Sequence, residues 1–228
     1  MDPNILIKEI KPDSYLRYQE GYDFKKRLES FMRIAKIICP EFEITDENRS
    51  IYENTIKYFA ADESCEYNLN KGLYVYGQYG VGKTVMFKLF KALNRAIDSP
   101  NNFKRLTVTD LIDGVSHKGY QYFVDSGVVP AGGSQSAANA YWNNKADHFL
   151  LDDMGQSERF ANNFGNKIDV VIAFLQRRYY AYTDHFALTH CSTNLIPSEI
   201  ESEFGEAINS RLRQMCNVIL FPGEDKRK

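Results

Sequence analysis

The order of apolar and polar positions gives the chain two textures. Between residues 15 and 38, Tyr15, Leu16, Tyr22, Phe24, Leu28, Phe31, Met32, Ile34, Ala35 and Ile38 recur mostly at helical spacing. That period predicts one or two amphipathic helices rather than a strand. Cys39-Pro40 closes the stretch, because the proline ring crowds the preceding residue out of the helical region. A second helix is predicted from about 47 to 61, with Thr45 or Asp46 as its N-cap. The polar, turn-rich stretch ADESCEYNLNKG follows and sets a boundary near residue 70. The chain thus reads as a helical N-terminal extension over 1–70 and a second unit over 71–228.

Beyond Lys71, short apolar runs alternate with helical patterns. Residues 72–76, 105–109, 148–152, 186–190 and 218–221 read as five strands, with helical patterns at about 82–98, 166–181 and 197–214. Strands separated by helices require crossover connections, so the expectation is a three-layer α/β fold around a mostly parallel five-stranded sheet.

Composition narrows the class. Across 228 residues, 28 Lys and Arg face 30 Asp and Glu, a net charge of −2 that excludes a generally basic nucleic-acid coat. The balance is uneven: residues 1–70 hold ten basic against fourteen acidic side chains, and the remainder eighteen against sixteen. No apolar run approaches the roughly 20 residues that span a bilayer. The start MDPNILIKEIKPDSY lacks the features of a secretory signal, so a cytoplasmic location is expected. Cys39, Cys65, Cys191 and Cys216 form no closely spaced pair, which speaks against structural zinc and for reduced thiols.

The chemistry concentrates in Gly77-Gln78-Tyr79-Gly80-Val81-Gly82-Lys83-Thr84, a full match to G-x-x-x-x-G-K-[ST], followed by Val85. Glycines let the backbone wrap a phosphate with successive N–H groups turned inward. The loop opens a helix whose N-terminal dipole favours an anion. Lys83 is expected to reach the β- and γ-phosphates and the Thr84 hydroxyl to ligate Mg²⁺. Phe149-Leu150-Leu151-Asp152-Asp153 is a second apolar strand ending in acids at the carboxyl edge of the sheet. There Asp152 would hold the Mg²⁺ shell and Asp153 would orient or deprotonate an attacking water. A polar residue ending another core strand can sit between the acids and the γ-phosphate; Asn194 is the first candidate and Thr193 the second. Arg211 and Arg213 lie on a late helical pattern, where a guanidinium could face a γ-phosphate from a neighbouring subunit.

In that order, GLYVYGQYGVGKT, LTVTDL, HFLLDDMG, FLQRRYY, LTHCSTNL and EAINSRLRQ resemble the AAA+ ATPases of the bacterial helicase-loader group, which includes DnaC, DnaI and IstB. The resemblance covers about residues 70–222. It implies an AAA+ fold, ATP as ligand, Asp152 and Asp153 as Walker B acids, Asn194 as sensor 1 and Arg211 as a finger acting across a homo-oligomer interface. Arg177 or Arg178 falls in the helix before sensor 1 with a supporting role. Two departures stand out. Asp153 replaces the usual Glu, which predicts slow, switch-like hydrolysis, and the chain stops soon after Phe221-Pro222, without room for a helical lid.

Loaders of this group grip single-stranded DNA and a replicative helicase, and those partners follow by resemblance. Lys118, Tyr120, Tyr122 and Phe123 offer a basic and aromatic stretch for the strand, although ordinary helix packing explains the same aromatics. The Gly/Ser/Ala stretch from Pro130 is the kind that orders on binding. Residues 1–70, acidic and amphipathic, suit docking on a protein or packing on their own ATPase unit. A transposition helper of the IstB kind, or a switch that binds ATP and barely hydrolyses it, would share the same site residues. A small-molecule kinase is disfavoured, because the phosphate loop begins late, at Gly77, and no arginine-rich lid segment follows Asp153.

Overall fold

The computed structural model describes residues 15–129 and 147–226. Two helices, α1 (Phe24–Ile38) and α2 (Asp46–Phe59), precede the first strand, β1 (Gly72–Tyr76). The Asp23 carboxylate caps α1 by accepting from the Lys26 N–H, and a Thr45/Asn48 capping box opens α2. Then follow α3 (Lys83–Ala96), β2 (Phe103–Thr107), α4 (Val108–Lys118), α5 (Gln121–Asp125) and β3 (His148–Asp152). The chain continues through β4 (Phe160–Asn163), β5 (Asn166–Asp169), α6 (Val170–His185) and β6 (Thr189–Thr193). It closes with α7 (Glu199–Phe204), α8 (Glu206–Met215) and β7 (Cys216–Leu220).

Five strands form one sheet in the order β2-β3-β6-β1-β7, every neighbouring pair parallel. The expected sheet and its helical covering are therefore present. Because β6 lies between β1 and β3, the carboxyl ends of these three strands share one edge. The chain leaves β1, β3 and β6 at Tyr76, Asp152 and Thr193, so the loops that follow emerge side by side.

Several element bounds differ from the sequence reading, each for a local reason. β2 ends at Thr107 because a second capping box starts α4 there: the Thr107 Oγ1 accepts from the Asp110 N–H and Asp110 accepts from the Thr107 N–H at 2.7 Å. β6 begins at Thr189, not 186, because α6 runs to His185 and Phe186 ends it in a left-handed conformation. Residues 160–169, expected to be partly helical, fold into an antiparallel β4–β5 hairpin turned at Phe164-Gly165, both with positive φ. The long helix expected at 197–214 breaks at Gly205 into α7 and α8.

The described part of the N-terminal segment shares the core of the sheet unit. Phe31 stacks on Phe90 of α3 with ring centroids 4.9 Å apart, Tyr52 meets Phe221, and Phe59 stacks on Phe103. The Asn101 side chain donates to the carbonyls of Arg17 and Phe59 and accepts from the Arg17 N–H, stitching the segment to the turn before β2. Buried aromatic pairs of this kind each stabilise by about 1 kcal/mol beyond their area.

Candidate functional site: a phosphate loop facing two acidic strand ends

β1 delivers the chain into the loop over 77–82, and α3 starts at Lys83 with Gly82 as its N-cap. Gly80 and Gly82 take φ of +73° and +110°, values that side chains rarely tolerate. At Gly80 a Cβ would also stand 1.6 Å from Asp225 Oδ1, so the close pass of the chain after β7 depends on the missing side chain. Lys83 is buried, and its Nζ donates to the carbonyls of Gly77 at 2.8 Å and Gln78 at 2.7 Å. The ammonium is thus held against the loop backbone, with the N-terminus of α3 behind it. A tight glycine loop, a buried ammonium and a helix N-terminus suit a polyphosphate.

Asp152, the last residue of β3, is fully buried. Its Oδ1 accepts from Thr84 Oγ1 at 3.1 Å and from the Ser192 hydroxyl, and its Oδ2 accepts from Arg105 Nε at 2.9 Å and a terminal Arg105 nitrogen at 2.7 Å. Thr84 and Asp152 are therefore joined directly, the donor set that a hard, oxygen-seeking cation such as Mg²⁺ requires beside a triphosphate. Asp153 follows with φ of +56° and its N–H bonded to Ser192 Oγ at 2.9 Å. One hydroxyl on the neighbouring strand thereby holds both acids.

Asn194 directly follows β6, and its Nδ2 donates to the hydroxyl of Tyr79 in the phosphate loop at 2.7 Å. Thr193 is buried and its hydroxyl accepts from the Leu195 N–H, so it turns the chain rather than facing the loop. Gly80–Val85, Asp153 and Asn194 line one cavity of about 350 Å³. Its other side carries three aromatics, Phe42 from the link between α1 and α2, Tyr52 of α2 and Phe221 after β7, among polar Glu41, Glu43, Asn48 and Lys226. Burial keeps the Tyr52 phenol neutral by raising its pKa.

The structure brings the phosphate loop, both acids and Asn194 together, but leaves the arginines elsewhere in the chain. Arg211 on α8 lies over the Tyr179 ring at 5.0 Å, and Arg213 is exposed. Arg177 stacks on Tyr120 and Phe123. Arg178 is fully buried and bonds Thr189 Oγ1 and the carbonyls of Val128, Asp147 and Leu188. Phe123 is buried in the core, Tyr122 packs against Gly114 and Lys118 pairs with Asp125, whereas Tyr120 is exposed. The stretch from Pro130 to residue 138 lies outside the described residues.

Sequence reasoning missed Arg105, Ser192 and the three aromatics. Arg105 lies in a strand 47 residues from its partner, a distance no motif spans. Tyr52 reads as an ordinary helix-face residue and Phe42 falls between the two predicted helices, and no signal in the sequence separates them from core.

A parallel five-stranded sheet with the phosphate loop after its fourth strand in spatial order, and acids ending the strand two places away, is the AAA+ P-loop fold. One solved structure shares the fold. A candidate primosome component from Streptococcus pyogenes serotype M3 superposes with a TM-score of 0.53 at 15% identity, over 92% of this chain and 100% of that one. DnaI matches at a TM-score of 0.49 and 21% identity, over 84% and 94%, and the DnaC helicase loader at 0.49 and 17%, over 81% and 96%. No protein-family model and no curated protein matches the sequence. Among the described residues no helix is long and apolar enough to cross a membrane.

Proposed function

We propose that this chain is a cytoplasmic, Mg²⁺-dependent ATPase of the helicase-loader kind, coupling its nucleotide state to a replicative helicase and to single-stranded DNA. The observation that carries the reading is the junction of Thr84 with Asp152 at the mouth of a complete phosphate loop, with Asn194 beside it. Thr84 and Asp152 are the residues that would hold Mg²⁺, whose charge, when bound, neutralises the β- and γ-phosphate oxygens. Lys83 exchanges its two backbone carbonyls for phosphate oxygens, and the loop N–H groups orient the chain of phosphates. Phe42, Tyr52 and Phe221 give the base an aromatic wall.

Asp153 takes a proton from the attacking water and Asn194 aligns that water with the terminal phosphate. A carboxylate one methylene shorter than glutamate reaches less far, and the resulting turnover is slow. Arg211, remote from its own cavity, serves the cavity of an adjacent copy in a homo-oligomer. Residues 1–70 and the exposed end of α4 are the surfaces offered to the helicase and the strand.

Lys83→Ala tests the foundation. It should weaken binding of a fluorescent ATP analogue by on the order of 100-fold, since one buried charge-assisted contact to each of two phosphates is lost. Unchanged affinity in that variant would remove the phosphate-loop assignment. Retention of a purified hexameric helicase by the full chain, with a transposase as the alternative bait, then tests the choice of partner: capture of the transposase alone rejects the loader reading.

A further inference from the structure

Asp152 carries a counter-charge that phosphate-site chemistry does not demand. Arg105, on the edge strand β2, grips Oδ2 with two nitrogens at 2.9 and 2.7 Å. The Thr84 and Ser192 hydroxyls donate to Oδ1, so both oxygens of the carboxylate have partners. Two nitrogens of the planar guanidinium converge on Oδ2. The side chain of Asp152 is fully buried and that of Arg105 is 30% exposed, so water screens the pair weakly.

In a nucleoside-triphosphatase the acid at this strand end meets a divalent cation, whose charge it helps to balance. Here Arg105 balances the acid beforehand. The guanidinium cancels the charge of the carboxylate that also accepts from the Thr84 hydroxyl, so an incoming triphosphate meets no bare acid at this strand end. Its surroundings give it no reason to leave. Lys91 of α3, whose ammonium is pushed to lower pKa by burial first, is also repelled by Arg105 and Arg95. The region beside α3 is therefore rich in positive charge, and Asp152 is the acid that holds Arg105 in place.

We propose that Arg105 is a positioning residue that makes nucleotide binding by this chain nearly independent of the divalent cation. The site accepts the metal-free triphosphate anion, and the cation is needed for hydrolysis alone. The inference deepens the ATPase reading above and rests on it.

The test is equilibrium binding of a fluorescent ATP analogue to the full chain, with Mg²⁺ and with excess EDTA. The wild-type affinity should change less than about threefold between the two conditions, because Arg105 offsets the Asp152 charge with or without the cation. Arg105→Gln should match the wild type in Mg²⁺ and lose about tenfold or more in EDTA. Arg105→Lys, which keeps the charge but not the fork, should restore most of the EDTA affinity, a rescue that a merely structural role would not produce. A wild-type affinity that falls tenfold or more in EDTA overturns the inference whether or not Arg105→Gln folds. So does an Arg105→Gln protein indistinguishable from wild type in both conditions. Absence of any nucleotide binding by the wild type in either condition overturns the ATPase reading itself, a result unlike metal-dependent binding.

Discussion

Strand β3 has a buried arginine contact at each end, and the two are built differently. At its start, Arg178 reaches from α6 to Thr189 Oγ1 and to the carbonyls of Val128, Asp147 and Leu188, while lying 4.9 Å from the Phe149 ring centre. No carboxylate is among those hydrogen-bond partners. At the strand's other end, Arg105 binds the carboxylate of Asp152, which also accepts from Thr84. The first arginine meets neutral acceptors that have no other duty, so it fixes architecture. The second meets a charged acceptor that also faces the phosphate loop, so moving it changes chemistry. Buried charge is costly in both places, and what it binds tells which purpose the cost serves.

That contrast breaks most visibly at Arg178. Its guanidinium ties Val128 and Asp147, which flank residues 130–146, to the starts of β3 and β6. Arg178→Met leaves these carbonyls buried without a donor and should cost about 3–5 kcal/mol of unfolding free energy, a fall of roughly 10 °C in Tm. Arg178→Lys should recover little, since one ammonium cannot replace three donating nitrogens. Nucleotide affinity of the folded fraction should stay within about twofold of wild type. Denaturant unfolding followed by titration of the analogue checks both halves, and a large affinity loss without a stability loss would reverse the assignment.

The carboxyl end should show the opposite signature. Asp153→Asn removes the proton acceptor but keeps shape and the backbone contact to Ser192, so single-turnover hydrolysis should slow by about 100-fold with ATP affinity and Tm little changed. Full activity in that variant would assign the water-positioning role to another group.

How far each end was legible in the sequence follows from how local its chemistry is. The phosphate loop and Asp152-Asp153 are contiguous runs, and their places at the ends of β1 and β3 could be read directly. Asn194 could be named although its strand lay three residues later than expected, because a polar residue after an apolar run marks a strand end in either register. Arg105 could not be singled out: in β2 it looks like a solvent-facing position, and only the pairing of Thr107 with Asp152 brings its side chain beside the acid. Arg178 was named beside Arg177 with a supporting role, and burial is what separates the two. The β4–β5 hairpin escaped because Phe164-Gly165 is not a common two-residue turn, Phe at φ of +47° being a conformation that sequence patterns do not announce.

A smaller effect per group sharpens the comparison through pH. Two histidines lie in the core near Arg178. His148, whose Nδ1 accepts from the Leu188 N–H, has its pKa pushed down to about 3 by burial first and then by the Arg178 charge. His190, whose Nδ1 accepts from the Leu73 N–H among Phe59, Phe87 and Phe103, is also driven well below the usual range by burial. Both are neutral when folded, whereas the unfolded chain takes up protons near pH 6.5. The unfolded state therefore binds more protons as pH falls, so the stability present above about pH 6.5 is lost below it. Each ring should cost about 1 kcal/mol between pH 6.5 and 5.5. The unfolding free energy, followed by urea titration across that interval, should approach a slope of about two protons. His148→Asn keeps an acceptor for Leu188 and should halve the slope. A stability that stays flat from pH 6.5 to 5.5 would mean that the start of β3 admits protons and water, and that Arg178 closes it less completely than its contacts imply.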